Sequence, residues 1–172
     1  MRARWMLGML CVLSLYQAGH VAAQAPAGPP AGWPDLVTGL KETPGCLGVE
    51  TARTGTGKNV IFAWFENREA LSRWYRSDMH RDAMRKYFPN AERRPPLETV
   101  PDDSGPLMVI ASITFSDKPQ FETANLAISQ IAIEVYRPMT GGVYLGSRFA
   151  PDALKVPGSP AYTPKAKTVS KP

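Results

Sequence analysis

Residues 60–84 read VIFAWFENREALSRWYRSDMHRDAM, and this stretch decides the fold. It begins with β-branched and aromatic residues up to Phe65, a composition typical of a strand. Asn67 then offers the side chain of a helix N-cap. From Leu71 onward the apolar residues recur at helical spacing, with Ser77 marking a kink or a second cap. A strand that passes directly into an amphipathic helix predicts an α+β domain.

Upstream of this stretch, the sequence predicts a helix and a second strand. A short helical pattern opens at residues 33–35 and stops at residues 43–45, Thr-Pro-Gly. Residues 46–53 and 59–65 are both β-prone, and the glycine-containing residues 54–58 between them predict a hairpin. The same glycines do not make a phosphate-binding loop, because their spacing is wrong and a strand follows instead of a helix.

Downstream, residues 89–106 are rich in proline and predict a long connection. Strands are predicted at residues 107–115, 130–137 and 143–149, the last two as a hairpin. Residues 117–129 fit neither pattern.

Alternation divides the side chains of the last two predicted strands between two faces of the sheet. The first face would hold Ile131, Ile133, Val135, Val143, Leu145 and Phe149. The second would hold Glu134, Tyr136, Tyr144 and Arg148. We expect helices on one face, while the other face is solvated, covered by a dimer partner or shaped into a pocket.

The ends of the chain predict export. Residues 1–23 contain Arg2 and Arg4, then an apolar run, then small residues ending at Ala23, which is the pattern of a cleaved signal peptide. The apolar run is too short to cross the roughly 30 Å hydrocarbon core of a bilayer. We therefore expect a secreted or periplasmic protein with no membrane contact after cleavage. Residues 24–32 are a predicted flexible linker, residues 33–156 the folded domain and residues 157–172 a disordered tail.

Composition argues against several classes of partner and site. Removal of the signal lowers the formal net charge from +5 to +3, and the remaining charges are interspersed, so no nucleic-acid partner is expected. Cys46 is then the only cysteine, so no internal disulfide can form. His80 is then the only histidine, which excludes a histidine-based metal cluster, and no metal is predicted.

Two stretches together, residues 44–50 and 60–84, resemble the antibiotic biosynthesis monooxygenase-like family, dimeric α+β barrels of ferredoxin-like topology. In that family a helix leads through a Pro-Gly turn into a hairpin, whose second strand ends in an aromatic-acidic-small triplet. The triplet starts a helix that carries Trp or Tyr and often His. Here residues 65–67, Trp74 and His80 stand at these positions. The resemblance implies an antiparallel sheet with helices on one face, and a homodimer.

One part of that fold has no counterpart at the expected place. The family has a strand before its first helix, and residues 24–32 cannot supply it. We expect the strand at residues 107–115 to fill part of the sheet.

The resemblance implies an oxygen-dependent oxidation of a small aromatic or quinol-like substrate without a bound cofactor. Trp74 would stack on the substrate and His80 would move a proton. The haem-degrading branch of the family has a histidine ten residues after the tryptophan, and that position is Met84 here, so haem degradation is not implied. The candidate substrate-binding aromatics are Trp64, Phe65, Tyr136 and Tyr144.

A second hypothesis remains open beside the enzyme. The domain would be a non-catalytic small-molecule-binding or stress-related module that keeps the fold. Under it, Trp74 is ordinary core and His80 is a surface or interface residue.

Overall fold

The computed structural model describes residues 29, 31–92, 97–103, 105–142 and 147–156. Its elements are α1 (Leu36–Glu42), β1 (Cys46–Arg53), β2 (Asn59–Phe65), α2 (Arg68–Arg76), α3 (Asp78–Tyr87), β3 (Leu107–Phe115) and β4 (Ile128–Tyr136). The predicted α+β class is confirmed. The predicted signal peptide, residues 1–23, and the predicted tail, residues 157–172, lie outside the described residues. In the described part of the chain, no helix has both the length and the apolar character to cross a membrane.

The four strands form one antiparallel sheet in the order β1-β2-β3-β4. β3 therefore lies against the second strand of the hairpin, with Ala63 opposite Val109. In a β-α-β-β-α-β chain the missing first strand would occupy this interior position. The expectation that residues 107–115 fill part of the sheet is confirmed, and β4 then extends it to the edge.

The helical stretch after β2 is two helices instead of one. The Asn67 side chain accepts a hydrogen bond of 2.9 Å from the Ala70 amide and caps α2. The Ser77 hydroxyl accepts one of 3.2 Å from the His80 amide and caps α3. Ser77 itself has extended backbone angles, so the chain changes direction between Arg76 and Asp78.

The turn between α1 and β1 is seated on the start of α2. Gly45 has a φ of +84°, and a Cβ atom there would lie 2.6 Å from the Cβ of Ala70. The Gly45 carbonyl accepts a 2.9 Å hydrogen bond from the Glu66 amide, and the Pro44 carbonyl accepts one of 3.1 Å from Arg73 Nε. Only glycine combines this φ with so close an approach.

The helices pack on one face of the sheet, and the buried side chains there form two clusters. The first cluster is Leu40, Val49, Ala63, Phe65, Ala70, Leu71, Trp74, Leu97, Leu107 and Val109. The second is Tyr87, Phe115, Ala124, Leu126 and Ile128. The core is thus divided between the two ends of the helical layer.

The other face of the sheet is covered in part by the segment 147–156. Phe149 makes edge-on ring contacts with Phe62 at 4.9 Å and with Trp64 at 5.3 Å. Phe62 and Trp64 alternate along β2 with the residues that face the helices, so they lie on the opposite face of the sheet. The prediction that Phe149 shares a face with Ile131 and Ile133 is therefore wrong.

The predicted strand at residues 143–149 differs from the structure for an identifiable reason. Residues 147–149 are not in a strand, and residues 143–146 lie outside the described residues. The Arg148 guanidinium donates to the carbonyls of Pro151 and Leu154, each at 2.7 Å. These bonds hold the segment in a local turn, with Leu154 buried, so its polar groups do not extend the sheet.

We expect Gly45→Ala to destabilise the domain by about 2–4 kcal/mol, since it combines a left-handed backbone cost with overpacking against Ala70. Urea unfolding followed by circular dichroism would measure the loss. Gly55→Ala is the matched control, because a Cβ at Gly55 meets nothing within 4 Å. Equal losses in the two variants would contradict the role of the Gly45 approach.

Candidate functional site

A cavity of about 820 Å³ lies between the helices and the sheet. All three helices and all four strands contribute to its walls, and residues of both core clusters line it. Most of the lining is aliphatic or aromatic, as is usual for a small-molecule site. The cavity thus lies where the two clusters of the core do not pack against each other.

Part of the wall is a group of three aromatic rings. Trp33 lies 4.9 Å from the ring of Tyr87 and 5.7 Å, edge-on, from that of Phe115. The Tyr87 hydroxyl donates a 2.9 Å hydrogen bond to the Gly32 carbonyl. This bond ties the segment before α1 to α3, so that Trp33 stays against the cavity.

His80 reaches the cavity because of the break between α2 and α3. Its Nδ1 atom lies 3.1 Å from the Tyr75 carbonyl, just before the break. A carbonyl can only accept, so this contact assigns the proton to Nδ1 and leaves the lone pair on Nε2. Burial lowers the pKa of His80 below its ordinary value of 6.5, and the bond to Tyr75 opposes that shift in part. His80 is therefore a neutral imidazole at neutral pH, with one nitrogen able to take a proton.

Trp74 belongs both to the core and to the cavity wall. It is 8 % exposed and part of the first cluster, yet it also lines the cavity. Its ring lies 5.4 Å from that of His80, edge-on. A Cβ at Gly39 would come within 3.2 Å of the Trp74 ring, so α1 packs closely against it. The indole is held rigidly beside the histidine.

The other predicted site aromatics do not join this pair. Phe65 is fully buried in the first cluster and does not line the cavity. Trp64 and Tyr136 are on the opposite face of the sheet, where Trp64 packs on Phe149. A hydrogen bond with Glu134 raises the pKa of the exposed Tyr136. Tyr144 lies outside the described residues.

The sequence interpretation missed several cavity residues, among them Asn59, Tyr75, Met84 and Tyr87. Asn59 is the most informative, because its Nδ2 atom is buried without a hydrogen-bond partner. The signal was available in the alternation of β2, which places Asn59 on the same face as Ile61 and Ala63. Burial raises the pKa of Tyr75 above its ordinary value, so its hydroxyl is protonated.

Within the described part of the chain, no three His, Cys, Asp or Glu side chains come together as metal ligands. Cys46 is half-buried, and desolvation raises the pKa of its thiol. The thiol is therefore not an activated nucleophile.

Comparison with known proteins supports the family inferred from the motifs. No curated protein and no solved structure matches the chain. Residues 31–86 match the family model described as Antibiotic biosynthesis monooxygenase. The matched residues comprise α1, the β1–β2 hairpin, α2 and nearly all of α3, including Trp74 and His80. This segment, about a third of the chain, is similar to the antibiotic biosynthesis monooxygenase family.

Proposed function

We propose that this domain oxidises a small aromatic, quinol-like substrate with O₂ in the helix–sheet cavity, without a bound cofactor. The observation that carries the proposal is the state of His80. It is a neutral imidazole of fixed tautomer, placed in a largely apolar cavity beside a rigid indole. A general base must combine access to the substrate with a free lone pair, and His80 has both.

The chemistry follows from this arrangement. Nε2 of His80 accepts a hydroxyl proton from the quinol, which makes the ring electron-rich enough to react with O₂. One oxygen atom enters the ring and the other leaves as water, so a quinol and O₂ give a hydroxyquinone and water. Trp74 stacks on the ring of the substrate. The apolar wall keeps the imidazolium and the anion paired, since their attraction is stronger away from water.

The competing function is a non-catalytic binding module, and a specific observation favours it. Met84 lines the cavity at the position where the haem-degrading branch carries its histidine. β3 takes the place of the missing first strand, and its helix-facing residues Val109, Ala111 and Ile113 are all apolar. The cavity would then hold a flat apolar ligand without changing it. Binding without turnover distinguishes this function from the enzyme.

We further propose that the domain works as a homodimer built on β4. This edge strand exposes Ile131 and Ile133 at 40 % and 48 % of their surface, on the face that also lines the cavity. Exposed apolar residues on an unpaired edge favour association. A second copy on this face would cover the isoleucines and shield the cavity from water.

Export is the last part of the proposal, and it rests on the pattern of residues 1–23. If the proposal holds, the N-terminus of the protein recovered from the periplasm or the medium is Gln24. Intact mass of that material checks the prediction. Recovery of the full chain from the cytoplasm alone would contradict it.

Turnover of 1,4-naphthohydroquinone under labelled O₂ tests the enzyme hypothesis, with the enzyme-free reaction subtracted. We expect one labelled oxygen atom in the product, and a loss of about 10²-fold or more in His80→Asn, because this variant has no base. The asparagine can still donate to the Tyr75 carbonyl, so the fold is preserved. Trp74→Phe should lose about tenfold through weaker stacking. Tyr136→Phe, on the far face, is the control and should retain the wild-type rate; equal rates in all four proteins would refute the site.

The pH dependence of the same reaction tests the state of His80. Because its pKa is lowered, kcat/KM should fall on the acid side with a midpoint below pH 6.5. The unfolded state binds the proton more readily, so the stability contributed by neutral His80 is also lost on that acid side. In His80→Asn, the fall of kcat/KM on the acid side should be absent. An acid limb with its midpoint above pH 6.5 in the wild type would contradict the proposed base.

Light scattering tests the dimer with two variants that introduce the same charge on opposite faces of β4. Ile133→Glu places a carboxylate in the proposed interface and should give a monomer at micromolar concentration. Gln130→Glu lies on the other face and should remain a dimer. A monomeric wild type would rule out the interface.

A further inference from the structure

The Asn59 side chain is a polar amide in the wall that the sheet contributes to the cavity. Asn59 is the first residue of β2, paired with Arg53 of β1 and Ile113 of β3. It lies on the helix-facing side of the sheet and lines the cavity. Ile61 and Ile113, which line the cavity near it, have no side-chain acceptor to offer. Arg53, the paired residue of β1, also lines the cavity, but its guanidinium can only donate.

This amide has an unmet hydrogen bond. Its Nδ2 atom is buried, and in the described part of the chain no acceptor lies within hydrogen-bond distance. Buried donors are nearly always paired, because leaving one unpaired forfeits its hydrogen bonds to water. An acceptor supplied from the cavity would satisfy the group.

We propose that Asn59 is the specificity-determining residue of the cavity and selects planar aromatic ligands that carry a carbonyl or phenolate oxygen. The terminal torsion of asparagine is broad, so a rotation of the amide presents Nδ2 to the cavity. The inference rests on the proposed ligand cavity but does not depend on catalysis. It adds that the ligand is recognised through an oxygen and not through ring area alone.

The position of Asn59 also defines how the ligand lies. Asn59 is on the sheet wall, whereas His80 is on the helix wall. A ligand that meets both groups carries two oxygen functions, one accepting from the amide and one giving its proton to the imidazole. Quinols have this arrangement, and a ring with a single oxygen meets only one wall.

Equilibrium dialysis of the full chain with 9-fluorenone and fluorene tests the inference. The two probes share the same ring frame, and only fluorenone has an acceptor oxygen. We expect the wild type to prefer fluorenone by about tenfold, the value of one buried hydrogen bond. Asn59→Leu should abolish this preference by weakening fluorenone while fluorene binds as before. Asn59→Asp, similar in size, should bind fluorenone at least as weakly as the leucine variant, since its carboxylate repels the oxygen.

The outcomes separate this inference from the proposed function. Fluorene binding without a preference for fluorenone in the wild type overturns the role of Asn59 and leaves the cavity proposal standing. Equal weakening of both probes in Asn59→Leu and Asn59→Asp overturns it too, since the change would then be one of shape. Failure of both probes to bind the wild type overturns the cavity as a ligand site, and with it this inference. The thermal melting of each variant, compared with the wild type, shows whether it is folded.

Discussion

The approach of Gly45 to Ala70 is the contact on which the rest of the domain depends. It brings the turn before β1 onto the first turn of α2, and the hydrogen bonds of Pro44 and Gly45 hold it there. The hairpin and the helix that follows it are thereby fixed at both ends. α1 must then lie across the sheet, where Gly39 lets it pack against Trp74.

The hydrogen bonding and burial of His80 depend on a second local feature, the cap at Ser77. A continuous helix would use the Tyr75 carbonyl within its own ladder of hydrogen bonds. The cap ends α2, and that carbonyl lies within hydrogen-bond distance of His80 Nδ1 instead. One serine thus sets the tautomer of a histidine three residues later. The same break turns the histidine inward, where burial lowers its pKa and keeps it neutral.

Much of the first half of the domain could be predicted from the sequence because its signals are local. The bounds of β1 and β2, the cap at Asn67 and the stop at the Pro-Gly turn all depend on neighbours within a few residues. The segment after β4 could not be predicted in the same way. Its alternation predicts a strand. The fold instead places backbone carbonyls beside Arg148 and aromatic rings of β2 beside Phe149, and these contacts cannot be read from the local sequence.

The candidate site was predicted unevenly for the same reason. Trp74 and His80 follow from helical spacing and do line one cavity. Trp64 and Tyr136 were grouped with them by residue type, whereas the pleat of the sheet places both on the far face. Asn59 was within reach of the alternation rule, since a polar residue in an inward position is itself a signal. Residue type alone does not single it out, because the first position of a strand is commonly polar.

The origin of β3 explains why the polar groups of this site are so few. The strand that fills the place of the missing first strand comes from after the helices, and its helix-facing residues Val109, Ala111 and Ile113 are apolar. Of the residues that alternate toward the helices on β2 and β3, Asn59 alone has a polar side chain. The helix wall adds the lone pair of His80. Under the proposal for Asn59, a flat ligand between these walls would be oriented by its oxygen atoms, because apolar surfaces would hold a ring equally well in several rotations. Recognition would then depend on where the oxygens are placed on the ring.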